Sequence, residues 1–128
     1  MCIGAPKAKA KFLNISYWNI HGSNSKAIGN KLADPDFLKI ISRNHIVGLA
    51  ELHTNDKISL PGYKLVKQKI RTKKHKGPKI AGGLALFVKH EIDYLVQLIP
   101  NDNEDSIWIK IKKEVSANQK IFISVVFP

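Results

Sequence analysis

Two side chains with oxygen donors sit where two apolar runs give out. Asn19 closes LNISYWN, and Glu51 stands near the carboxyl end of IVGLAEL, residues Ile46 to Leu52. Brought together, an amide oxygen and a carboxylate suit a hard cation such as Mg²⁺, which takes one or two carboxylates and keeps several waters. The plainer reading is a turn asparagine and a solvated glutamate. His21 and His53 each lie two residues beyond a candidate ligand, where an imidazole could stand behind the ligand, face a phosphate or simply be at the surface. Other chemistries find little support. The five histidines, His21, His45, His53, His75 and His90, show no HExxH spacing, so zinc is not indicated. Cys2 is the only cysteine, which excludes an internal disulfide and a cysteine zinc cluster and points to a reducing compartment. No Ser/His/Asp or Cys/His set can be assembled from order alone. Gly82 and Gly83 lie outside any GxxxxGKS/T pattern, so a phosphate-cradling P-loop is not supported.

The elements between Asn19 and Glu51 decide whether the two can meet. Leu13, Ile15 and Tyr17 alternate with Asn14, Ser16 and Trp18, so bulk on both faces predicts a strand interior to a sheet. Asp34-Pro35-Asp36 predicts a helix start, with Asp34 as N-cap, Pro35 in the first turn and Asp36 favoured by the dipole. Phe37, Leu38 and Ile41 supply its apolar stripe, and Asn44 ends it before the β-branched run. A strand, helix and strand in that order return the chain parallel to its start with right-handed sense. Asn19 and Glu51 are therefore expected at one edge of one sheet.

Downstream the pattern is mostly β. Pro61-Gly62 predicts a turn before a strand over Tyr63 to Ile70. Leu84 to Val88 reads as a buried strand, and Ile92 to Leu98 as another. The acidic loop PNDNED, Pro100 to Asp105, reads as a solvated turn, since neighbouring carboxylates repel unless a cation holds them. Ile107, Ile109 and Ile111 alternate with Trp108, Lys110 and Lys112, a strand with one wet face. Ser116 to Gln119 turns into a last strand over Lys120 to Phe127 with apolar residues on both faces. That suits the inside of a sandwich whose other sheet is not encoded.

The 128 residues, 44% hydrophobic, fit one domain from residue 12 to 128 behind a basic flexible arm, residues 1 to 11. A net charge of +11 favours a polyanionic partner such as nucleic acid, the alternative being ordinary solubility. The densest cluster is RTKKHKGPK, where Arg71, Lys73, Lys74, Lys76 and Lys79 could neutralise several phosphates without reading bases. The alternative there is a solvated hairpin loop. Neither a secretory leader nor the roughly 18 apolar residues of a membrane span is visible. The expectation is an intracellular, nuclear or cytoplasmic, protein without membrane contact.

Several stretches resemble one family. WNIHG at Trp18 to Gly22, DPDFLKIIS at Asp34 to Ser42 and HIVGLAELHT at His45 to Thr54 look like the opening of the endonuclease/exonuclease/phosphatase family, in its apurinic-endonuclease-like, retrotransposon-type branch. LPGYKLV, AGGLALFVKHEI and IWIKIKK follow in the order that family uses. The resemblance implies an α+β fold, one half of a two-sheet αββα sandwich with about seven strands and one main helix. It implies Mg²⁺- or Mn²⁺-assisted phosphodiester hydrolysis, with DNA ahead of RNA as partner, Asn19 and Glu51 as metal residues, and His21 and His53 behind them. The chain also departs from the family. Val126, or Phe127 with a slip of one, stands where the family has a catalytic tyrosine, and the Asp-any-Asn, later Asp and Ser-Asp-His motifs have no counterpart. The expectation is the first half of a nuclease domain, catalytically silent as given, holding its ion weakly. A second half or a dimer mate would cover its apolar sheet face. The competing readings are a non-catalytic basic module that binds nucleic acid and a mobile-element relic without function.

Overall fold

The computed structural model describes residues 13–25, 29–70, 82–112 and 121–126. Within them the fold is mixed α+β: seven strands in two sheets, a separate two-stranded ladder and one α-helix. Strand β1, Ile15–Asn19, is followed by the short antiparallel pair β2, Asn24–Ser25, and β3, Gly29–Asn30. A single 3₁₀ turn at Lys31–Ala33 then leads into helix α1, Pro35–Ile41. The predicted cap is present: the Asp34 carboxylate accepts from the Phe37 amide at 3.3 Å, with Pro35 in the first turn. This satisfies one of the amides that a helix start leaves orphaned. The helix ends at Ser42, and the Tyr63 hydroxyl lies 2.7 Å and 2.6 Å from the carbonyls of Ile41 and Asn44, tying that end to the next layer.

The chain then enters β4, Ile46–Ala50, and the predicted crossover is realised: β1 and β4 pair in parallel, with Asn19 opposite Ala50. Strands β5, Tyr63–Lys69, and β6, Leu84–Lys89, complete a four-stranded sheet ordered β1-β4-β6-β5, both joined antiparallel. Strands β7, Val96–Ile99, β8, Ser106–Ile111, and β9, Ile121–Val126, form an antiparallel three-stranded sheet. The side-chain period of two divides the core into two layers. Val47, Leu49, Ala85 and Phe87 face Leu32, Ile41, Leu52, Leu60 and Tyr63, with Phe37 and Leu38 of α1 packed against them. Ile46, Ala50, Leu84, Leu86 and Val88 face Ile107, Ile109 and Ile111 of the second sheet. Burial on both faces explains the continuous apolar runs of β4 and β6.

Three expectations are corrected. Strand β1 lies at an edge, not in the interior, of the sheet the described residues form, and Ile15 and Tyr17 are 48% and 43% exposed. Bulk on both faces records what a strand can pack against, not whether a neighbour is present. Ile92 to Leu98 is not one strand: His90–Leu95 coils as a 3₁₀ turn and β7 begins only at Val96. The turn carries the chain from the first sheet to the second, and the Lys64–Asp93 ion pair at 3.0 Å holds it against β5. Finally, the second sheet is encoded after all. Strand β9 pairs along its length with β8, and β8 packs its isoleucines on the first sheet. No helix among the described residues is long and apolar enough to cross a membrane.

Candidate functional site

Parallel pairing brings the carboxyl ends of β1 and β4 to one edge, so the residue after Ala50 emerges beside Asn19. Beyond the strands the two chains stay laced together: the Ile20 amide donates to the Ala50 carbonyl, that of Gly22 to Glu51 and that of Ser23 to Leu52, at 3.1, 2.6 and 2.9 Å. Strand β4 stops at Ala50, two residues before the predicted end, because Glu51 has a left-handed backbone with φ 56°. His21 and His53 are left-handed too, at 50° and 53°. Side chains other than glycine resist that region by roughly 1–2 kcal/mol each, and such residues concentrate at functional sites. Gly22 is at φ 95°, and a Cβ there would lie 3.3 Å from the His53 ring. Lys31 clamps the turn from below, its Nζ donating to the carbonyls of Ile20 and His21 at 2.7 and 3.3 Å.

The side chains converge on Glu51. Asn19 Nδ2 donates to its Oε2, while His21 Nδ1 and His53 Nε2 approach the same Oε1 at 3.6 and 3.5 Å. Asn19 is engaged at both ends, because its Oδ1 accepts from the His21 amide at 3.1 Å. The carboxylate side chain is 24% exposed. The Asn19 hydrogen bond holds the Glu51 carboxyl below its usual range; burial opposes this, and the two imidazoles add to the lowering. Tyr17, on the same face as Asn19, has its phenol pushed up by burial and, to a lesser degree, by the Glu51 charge.

Of the described residues, Glu51 is the carboxylate at this edge that could hold a largely hydrated Mg²⁺ or Mn²⁺, and its two oxygens already face Asn19 Nδ2 and the two imidazoles. One carboxylate with several waters is an ordinary Mg²⁺ arrangement, but Asn19 must rotate its amide to offer Oδ1. Among the described residues no group of three or more His, Cys, Asp or Glu is arranged to hold a metal ion. The acidic loop behaves as the turn expected of it. Asn101 and Asn103 wrap the Lys69 ammonium, which donates to both carbonyls and to Asn101 Oδ1 at 3.2, 2.7 and 2.9 Å. Trp18 is half-buried and packs edge-on against Phe37, with ring centres 5.9 Å apart.

Arg71, Lys73, Lys74, Lys76 and Lys79, and the arm 1–11, lie outside the described residues. The points where segment 71–81 joins the fold are described, and both are at the Asn19–Glu51 edge. Lys69 pairs with Leu84, Leu84 pairs with Ala50, and the Gly82 carbonyl accepts from the His53 amide at 3.0 Å. Ten of the 21 Lys and Arg residues and nine of the 10 Asp and Glu residues are described, so the described part carries only +1 of the chain's +11.

Sequence reasoning located Asn19, Glu51, His21 and His53 but not Tyr17 or Lys31. Tyr17 was within reach of the strand period, two residues before Asn19 on the same face. Nothing local marks Lys31, whose role depends on how the turn folds. Compared with known proteins, the chain matches no family model, no curated protein and no solved structure.

A pH dependence follows. Because the folded-state pKa of Glu51 is lowered, its contribution to stability is present above the ordinary carboxylate value and is lost as pH falls through the depressed one. Asn19→Ala removes the leading cause, so the Glu51 titration midpoint, followed by carboxyl carbon NMR, should rise toward the ordinary value. A midpoint that stays put would mean that the two imidazoles alone set the charge state.

Proposed function

We propose that this chain binds the phosphate backbone of nucleic acid, DNA ahead of RNA, across the edge where β1 and β4 end, in the manner of the endonuclease/exonuclease/phosphatase fold it resembles. The observation that carries this reading is the meeting of Asn19 and Glu51 at the ends of two parallel strands. The described residues that flank segment 71–81 lie at the same edge, and the sequence of that segment carries five cations, Arg71, Lys73, Lys74, Lys76 and Lys79. Glu51 would hold Mg²⁺ or Mn²⁺ weakly, with Asn19 rotating to assist. A bound ion supplies polarisation of a phosphodiester oxygen and charge stabilisation. The protein's own groups hold and orient the phosphate without cutting it. A general base works best with a pKa near the working pH, and Glu51 is shifted the other way. On this reading the chain acts as a binding module, and no cleavage is expected from it alone.

The test is a Mn²⁺ titration followed by paramagnetic broadening. Resonances of Asn19, Glu51 and His53 should broaden first, and Glu51→Gln should abolish the effect. Broadening confined to the Asn101–Asp105 loop would overturn the metal assignment, and efficient Mg²⁺-dependent plasmid nicking by the purified chain would overturn the binding-only reading.

A further inference from the structure

We infer that β1 is the seam of a symmetric dimer, pairing antiparallel with β1 of a second copy of this chain. Edge strands normally carry a charge, a proline, a bulge or a cover that stops them adding further strands. Strand β1, Ile15-Ser16-Tyr17-Trp18-Asn19, has no charged residue and no proline, and its pairing with β4 runs without a register shift. Six large apolar residues are exposed among those described, and three of them flank this strand. Ile15 and Tyr17 stand on the face turned toward the second sheet. On the α1 face, Ile40 is 58% exposed and lines an open hollow of about 340 Å³ with Trp18, Ile20 and Phe37, whose polar rim is Asn19, Lys31, Asp34 and Asp36. One added strand would cover both sides at once and give β1 the interior place that its residue pattern describes.

A second copy fits that place by its chemistry. Centred on Tyr17, an antiparallel pair sets Tyr17 opposite Tyr17, Ser16 opposite Trp18 and Ile15 opposite Asn19, so no like charges meet. Residues directly opposite share a face, and the Ile15 and Tyr17 side chains of the two copies would form one apolar strip while the two α1 helices flank the seam on the other side. A two-fold self-complementary patch is the commonest oligomer geometry. The inference rests on the edge and its exposed residues, not on the proposed nucleic-acid role.

Sedimentation of the full chain in high salt, which screens the basic segments, should give twice the chain mass. Ile15→Lys and Tyr17→Lys, both at exposed positions, should each halve it while circular dichroism stays that of the wild type. Tyr17→Cys in a Cys2→Ser background should form a disulfide across the axis on mild oxidation, because opposed Cα atoms lie about 4.5 to 5.5 Å apart in such a pair and disulfides span about that distance. A wild-type chain that sediments as a monomer at every concentration, or a dimer that survives both lysine variants, overturns the inference. Loss of the dimer in the lysine variants without crosslinking overturns the register centred on Tyr17.

Discussion

Phe87→Ala should remove much of the folding stability, so that the urea midpoint falls steeply or the cooperative transition disappears. Phe87 is fully buried near the middle of β6, opposite Val47 on one side and Leu65 on the other. It faces the layer that includes Leu32, Ile41 and Tyr63. Phenylalanine truncated to alanine in such a core costs about 3–5 kcal/mol, since the removed ring loses its transfer energy and leaves a cavity. Domains are stable by only about 5–15 kcal/mol, so this one side chain accounts for about a fifth of that margin at the least. Ser59→Ala, at an exposed loop position away from β1, serves as the contrast and should stay within about 0.5 kcal/mol. A Phe87→Ala midpoint close to the wild type would show that α1 does not close the layer above Phe87.

The elements that sequence made legible are those fixed by near neighbours. The Asp34 cap, the Pro35 helix start and the parallel return of β4 depend on residues within one crossover, and all three are present. The isoleucine alternation in β8 was likewise visible, because a strand with one buried face writes its period into the chain. What escaped was set by distant contacts. Whether β1 has one neighbour or two is decided by strands elsewhere in sequence. The coil at His90–Leu95 replaces a strand because the chain must pass from one sheet to the other there, a demand that Ile92 and Leu95 do not announce. At the site, Asn19 and Glu51 could be brought together by topology alone. The meeting of His21 and His53 at a single oxygen of Glu51 could not, because it depends on three left-handed residues, none of them glycine.

Nucleic-acid binding should weaken steeply with salt, and the sensitivity should reside in segment 71–79. Residues 71–79, RTKKHKGPK, are the densest run of cations in the sequence. Neutralising about four phosphates on B-DNA gives a log-log salt slope near −3.6. Moving from about 50 to about 200 mM salt should then weaken binding roughly 150-fold. Replacing Lys73, Lys74 and Lys76 with alanine should flatten the slope by about 2 to 3 units, leaving roughly a four-fold loss over the same range. Base sequence should matter little, because backbone contacts set position and carry no direct sequence information. Fluorescence anisotropy with a labelled duplex, repeated at several salt concentrations, gives both slopes. If the triple variant keeps the wild-type slope, the phosphates are held elsewhere, and Lys7, Lys9 and Lys11 become the residues to replace. If the slope flattens while Mn²⁺ broadening at Glu51 is unchanged, the backbone-binding and ion-binding parts of this edge act separately. The metal would then be dispensable for holding the duplex.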